Sequence, residues 1–141
     1  MTPILPSNPS RNGVYRLPAS GVDALISQAG TSGFTLHRAD LKGLRASREC
    51  LVALGKSLDF PPWYGANFDA LADCLGDPHW QPVGAQMLLI TGAESWRRAH
   101  PHDFSTFLEV LAGAADERRS AGQPFWILVD ADAELPDPPR G

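Results

Sequence analysis

Apolar and polar positions alternate with two periods along this chain, and the change of period marks out its elements. Val14-Tyr15-Arg16-Leu17 is a short strand candidate, followed by a weak helical pattern over Gly21 to Ala29 that closes in Gly30 and Gly33. Phe34-Thr35-Leu36-His37-Arg38 alternates apolar with polar, the period-2 pattern of a half-buried strand. Residues 46 to 57 lead a helical repeat of Cys50, Leu51, Leu54 and Leu58, which stops before Pro61-Pro62 because proline cannot continue a helix. Asn67 then stands at a cap position before a second helix with Phe68, Leu71 and Leu75 on one face and Gly76 at its end. Gln86 to Thr91 (QMLLIT) and Phe125 to Val129 (FWILV) are apolar without alternation, so both are expected to be covered on both faces, as in a parallel sheet. Between them Asp103 is expected to cap a long helix with Phe104, Phe107, Leu108, Leu111 and Ala115 as its apolar stripe.

This order predicts a small α/β domain of three-layer character. Its short parallel sheet has three core strands, with a fourth available from the N-terminal extension, packed by helices. The expected organisation is a partly flexible N-terminal extension over residues 1-33, a domain over 34-129 and a flexible acidic, proline-rich tail over 130-141. At 141 residues and 43% hydrophobic content the chain can bury one core without disulfide or metal staples. Cys50 and Cys74 lack metal-ligand or redox spacing and are expected to be reduced core thiols. The N-terminal residues do not read as a secretory signal, and no apolar run reaches the length of a membrane span, so the expectation is a cytoplasmic protein with no membrane partner.

Charge changes this picture. The net charge of -4 speaks against non-specific nucleic-acid binding. From Ser57 to Trp96 there is no Lys or Arg but there are Asp59, Asp69, Asp73, Asp77 and Glu94, so a partner reading this stretch should be basic. On a helical wheel Phe68, Leu71, Ala72 and Leu75 fall together, with Asp69, Asp73 and Ala70 on the opposite side. Asp69 gains from the helix dipole, whereas Asp73 gains little, and the i,i+4 pair repels by roughly 0.2 to 0.5 kcal/mol. Taken alone, the pair also fits solvated positions on an amphipathic helix. Trp63, Tyr64, Asn67 and the small residues Ala66, Ala70 and Ala72 around it suggest a surface that another molecule approaches closely.

An enzymatic use of Asp69 and Asp73, as metal ligands or as an acid/base pair with His79 nearby, lacks a positioned nucleophile, a phosphate-cradling glycine loop and any zincin-type spacing. No catalytic residue, metal or cofactor is therefore expected. His100 and His102 read as a surface loop.

The run Pro62 to Gly76, PWYGANFDALADCLG, resembles the loop and second helix of the barstar family, intracellular inhibitors of the ribonuclease barnase. The likeness continues as element order from about Phe34 to Val129. It implies an immunity or antitoxin role: a protein that plugs a basic, barnase-like ribonuclease in a 1:1 complex, placing carboxylates where the enzyme holds RNA phosphate, and that is monomeric when free. It implies that Asp73 is the central anion, that Asp69 pairs with a neighbouring basic residue, that Trp63 and Asn67 supply loop contacts, and that Gly76 permits close approach. Glu117 falls where the family has a further acidic contact, although a solvated helix glutamate would look the same. Trp80 either replaces a family interface tryptophan or fills the core. Two positions depart from the family pattern: Ala72 stands where it has an interface tryptophan, and Ala66 where it has a glutamate. The other reading is a barstar-fold binding or regulatory module for a non-nuclease basic partner.

Overall fold

The computed structural model describes residues 12–17, 22–31, 33–77, 84–131 and 135–136. Their elements are β1 (Gly13–Arg16), α1 (Val22–Thr31), β2 (Thr35–Asp40), α2 (Ser47–Ser57), α3 (Phe68–Gly76), β3 (Gln86–Thr91), α4 (Glu94–Ala99), α5 (Pro101–Ser120) and β4 (Phe125–Val129). The four strands form one parallel sheet in the order β1-β4-β3-β2. The non-alternating apolar runs are the two central strands: all of β4 and all of β3 except Thr91 are buried. Alternation belongs to edge strand β2.

Successive side chains of a strand point to opposite faces, so the sheet feeds two cores. On one face Leu88, Ile90, Phe125, Ile127 and Val129 meet Leu51 and Leu54 of α2, Leu71 and Leu75 of α3, Trp96 of α4, and Phe104, Phe107 and Leu111 of α5. On the other, Met87, Leu89, Trp126 and Leu128 meet Leu25 and Ala29 of α1. The result is helix, sheet and helices in three layers.

Of the elements before Phe34, α1 packs through the apolar Leu25 and Ala29, whereas β1 is preceded by a residue that makes buried polar contacts. Asn12 is 4% exposed and donates to the carbonyls of Ala115 (3.2 Å) and Gln123 (2.8 Å). Its side-chain oxygen accepts from the Phe125 amide at 2.7 Å, and its carbonyl accepts from Arg119. Full satisfaction makes this burial affordable. The outer edge of β1 is covered in turn, the Arg16 amide donating to the Pro136 carbonyl at 2.8 Å.

Two expectations change. Asp103 does not cap the long helix: α5 starts at Pro101 behind His100, which places His102 in the first helical turn. Proline suits that position because its missing N–H would have no intrahelical partner there. The Asp103 carboxylate instead accepts from the Ser47 hydroxyl at 2.6 Å, and that hydroxyl accepts from the Trp96 indole at 2.9 Å. This chain of bonds ties α2, α4 and α5 together. The short helix α4 went unrecognised because six residues show too little periodicity to stand out. Among the described residues no helix is long and apolar enough to cross a membrane.

Candidate functional site

The site is built on the connection from α2 to α3. After α2 the chain turns through Asp59 in the left-handed region, φ 54°, and the Phe60 amide bonds back to the Gly55 carbonyl at 3.0 Å. Tyr64 then folds onto α2, its hydroxyl donating to the Leu51 carbonyl at 2.7 Å and its ring lying on Gly55. A Cβ at position 55 would stand 2.5 Å from a Tyr64 ring carbon, so this close packing requires glycine. Phe60 packs edge-on against the same ring, 4.9 Å between centroids. Burial pushes the Tyr64 hydroxyl well above its ordinary pKa. The loop is thus anchored from beneath, while Trp63 is left 55% exposed, the one large apolar side chain so exposed among the described residues.

Asn67 starts α3 in extended geometry, and its side-chain oxygen accepts from the Ala70 amide at 2.7 Å. Its acceptor is therefore engaged in capping, while the residue itself remains exposed. Leu71, Cys74 and Leu75 face the core. Asp69, Ala72, Asp73 and Gly76 are all exposed, and their spacing of three and four residues makes them one stripe. The wheel had set Ala72 beside the apolar residues. The buried stripe is instead Leu71, Cys74 and Leu75, which leaves Ala72 exposed at the edge of the acidic stripe, beside Gly76 and Asp69. Ala66, grouped above with the small surface residues, is 9% exposed and adopts a left-handed φ of 53°. It belongs to the core side of the loop.

Helix α5 supplies the next carboxylate. A Cβ on Gly76 would lie 2.8 Å from Oε2 of Glu117, so the Glu117 carboxylate rests over the C-terminal end of the α3 stripe. Asp69, Asp73, Gly76 and Glu117 thus share one acidic face, with Asn67 at the head of its helix and Trp63 in the loop before it. His79 and Trp80 lie outside the described residues. Glu94 does not add to this charge: its carboxylate is bound by Arg97 at 2.6 Å and Arg98 at 3.0 Å.

The face has little equipment for covalent chemistry. The Cys74 thiol lies directly beneath it, fully buried, and burial with the nearby Asp77 and Asp73 charges pushes its pKa up to about 11. A thiol so protonated is a poor nucleophile at neutral pH. Among the described residues no three His, Cys, Asp or Glu side chains converge to hold a metal ion. What the arrangement can do is present several carboxylates, on a rigid helix, to a cationic surface.

Sequence reading passed over Arg118 beside Glu117. It is 5% exposed and turned inward, donating to the Leu75 carbonyl of α3 at 3.3 Å. Its position was signalled by spacing, because 118 continues the buried repeat of Leu111, Ala114 and Ala115.

A search among curated proteins gave no match. Residues 34–130 match the family model described as Barstar (barnase inhibitor), which spans more than half of the chain and includes both α3 and the Glu117 end of α5. By that match, the chain belongs to the Barstar family.

Proposed function

We propose that the chain is a cytoplasmic inhibitor of a basic, barnase-type ribonuclease, binding 1:1 and blocking the active site with the α2–α3 loop and α3. The observation that carries this reading is the exposed stripe Asp69, Ala72, Asp73 and Gly76 with the Glu117 carboxylate over its end, in a chain of the Barstar family. Ribonuclease active sites hold RNA phosphate with Arg, Lys and His donors. Carboxylates on a helix meet the same donors through charge-assisted hydrogen bonds and exclude the substrate. In this reading Asp73 is the central anion, Asp69 engages a flanking cation, Glu117 extends the acidic contact, and Trp63 and Asn67 contact the rim. Trp80 is included in the interface on family resemblance alone.

Asp73→Ala tests the reading. Removing one partner of a desolvated charge pair costs about 2 to 5 kcal/mol of binding, whereas an exposed helix aspartate contributes little to folding. Titrating wild type and variant against ribonuclease activity on RNA should show stoichiometric inhibition lost in the variant, with nearly unchanged melts. Equal inhibition by both would sink the phosphate-mimic account. Ala72, exposed on the stripe where the family has a tryptophan, favours a second reading in which the same face serves another basic partner.

A further inference from the structure

Helix α3 ends with unfavourable electrostatics. The C-terminal pole of a helix attracts cations, yet α3 has no basic residue in its last turn and carries Asp73 and Asp77 near that end. The Leu75 carbonyl belongs to the last turn, where carbonyls have no partner within the helix. The missing cation comes from α5. Arg118 donates through Nη2 to the Leu75 carbonyl at 3.3 Å and through Nη1 to Oε1 of Gln123 at 3.1 Å. Its guanidinium carbon lies 5.3 Å from the centroid of the Phe125 ring, which anchors it to β4. Arg118 therefore fastens the end of α3 to α5 and to the sheet. Its neighbour Glu117 rests over Gly76, the residue after Leu75.

We propose that Arg118 is a positioning residue for the acidic face: its clamp on the Leu75 carbonyl sets the spacing of α3 and α5 at which the Glu117 carboxylate joins Asp69 and Asp73. The binding consequence rests on the inhibitory reading above; the clamp itself does not. Guanidinium chemistry suits this task because its planar fork reaches two acceptors at once while stacking on an aromatic ring. An ammonium reaches them only as a point charge, and methionine keeps the apolar stem without any donor.

The test has one arm without a partner and one with barnase as the probe. In the free full-length protein, NMR should show cross-peaks between the Gly76 α-protons and the Glu117 γ-protons. Arg118→Met should weaken them by about three-fold or more and Arg118→Lys by less, following their loss of directed donors. Should the methionine variant fail to fold, the lysine variant decides, with a weakening of about two-fold expected. Cross-peaks of unchanged intensity in the folded variants overturn the clamp. In the second arm, Arg118→Met should raise the Kd for barnase about ten-fold in the wild-type background and less than about two-fold in a Glu117→Ala background, the signature of coupled residues. Equal losses in both backgrounds overturn the positioning role. A wild-type protein that leaves barnase fully active breaks the functional reading for that enzyme, and the NMR arm still judges the clamp.

Discussion

Gly76→Ala separates the acidic face from the fold beneath it. Gly76 is the last residue of α3, exposed, and its φ lies outside the left-handed region, so alanine can adopt its backbone. In the folding balance the methyl is helpful, because glycine to alanine at a compatible position stabilises by about 0.4 to 1 kcal/mol through the unfolded chain. Against that, the new carbon would stand 2.8 Å from Oε2 of Glu117, with the Glu117 Cδ at 3.9 Å. Only the far end of an exposed, flexible side chain is in the way. Turning it aside costs about 0.5 to 1.5 kcal/mol at most. The two terms nearly cancel, so the melting temperature should move by no more than about 4 °C in either direction. Binding has no such compensation, since the methyl stands proud of the stripe and displaces one of its carboxylates. Overpacking of this kind typically costs about 1 to 3 kcal/mol, which at 1.4 kcal/mol per decade is a rise in Kd of about five- to one-hundred-fold. Thermal melts and ribonuclease titrations on the same preparation decide it. Unchanged affinity with an unchanged melt would show that Gly76 and Glu117 lie outside the contact, and a melt lowered by more than about 8 °C would refute the steric accounting.

Gly55→Ala should do the reverse, lowering stability by about 1 to 3 kcal/mol, because its methyl meets the Tyr64 ring at 2.5 Å and forces the ring off the Leu51 carbonyl. A melt equal to wild type would contradict the packing described. Stability should also fall at alkaline pH: burial raises Cys50 from 9.0 to about 12 and Cys74 from 9.0 to about 11. The folded state then holds thiol protons that the unfolded state releases, so this contribution is intact below about pH 9 and is lost as pH climbs toward the folded values. Melts at about pH 8 and pH 10.5 measure it, and a melt that rises across that window is inconsistent with buried protonated thiols. Association with a basic ribonuclease should slow several-fold between about 20 and 150 mM salt, driven by Asp59, Asp69, Asp73 and Asp77 with Glu94 neutralised by its arginines. Stopped-flow rates that stay flat would remove electrostatic steering.

Reading from sequence went furthest where a local pattern carries the information. QMLLIT and FWILV announce the central strands because burial on both faces removes alternation, and Asn67 announces α3 because a cap is chemically distinctive. It stopped where the determinant is distant. Nothing near Asn12 shows that its partners are Ala115 and Phe125, 103 and 113 residues away, so the local pattern alone does not place the N-terminal strand in the sheet. The orientation of Ala72 was missed for a related reason: the wheel gives relative angles, and only the packing of α3 against its neighbours sets which 100° arc is buried. Asp103 looked like a cap because its bond to Ser47 spans 56 residues. Of the candidate site, the α3 carboxylates were visible as a charge pattern, whereas the meeting of Glu117 with Gly76 depends on two helices far apart in the chain.

The central claim, that the loop and α3 face seat on the enzyme, is tested most directly by a hydrogen-exchange footprint of the chain with and without an equimolar barnase-type ribonuclease. Binding should slow exchange in the loop from Pro61 to Asn67, along α3 and at the Glu117 end of α5, while α1 and the edge strand β2 exchange as in the free protein. Slowed exchange confined to α1 or β2, with the α3 segment unaffected, would contradict the account.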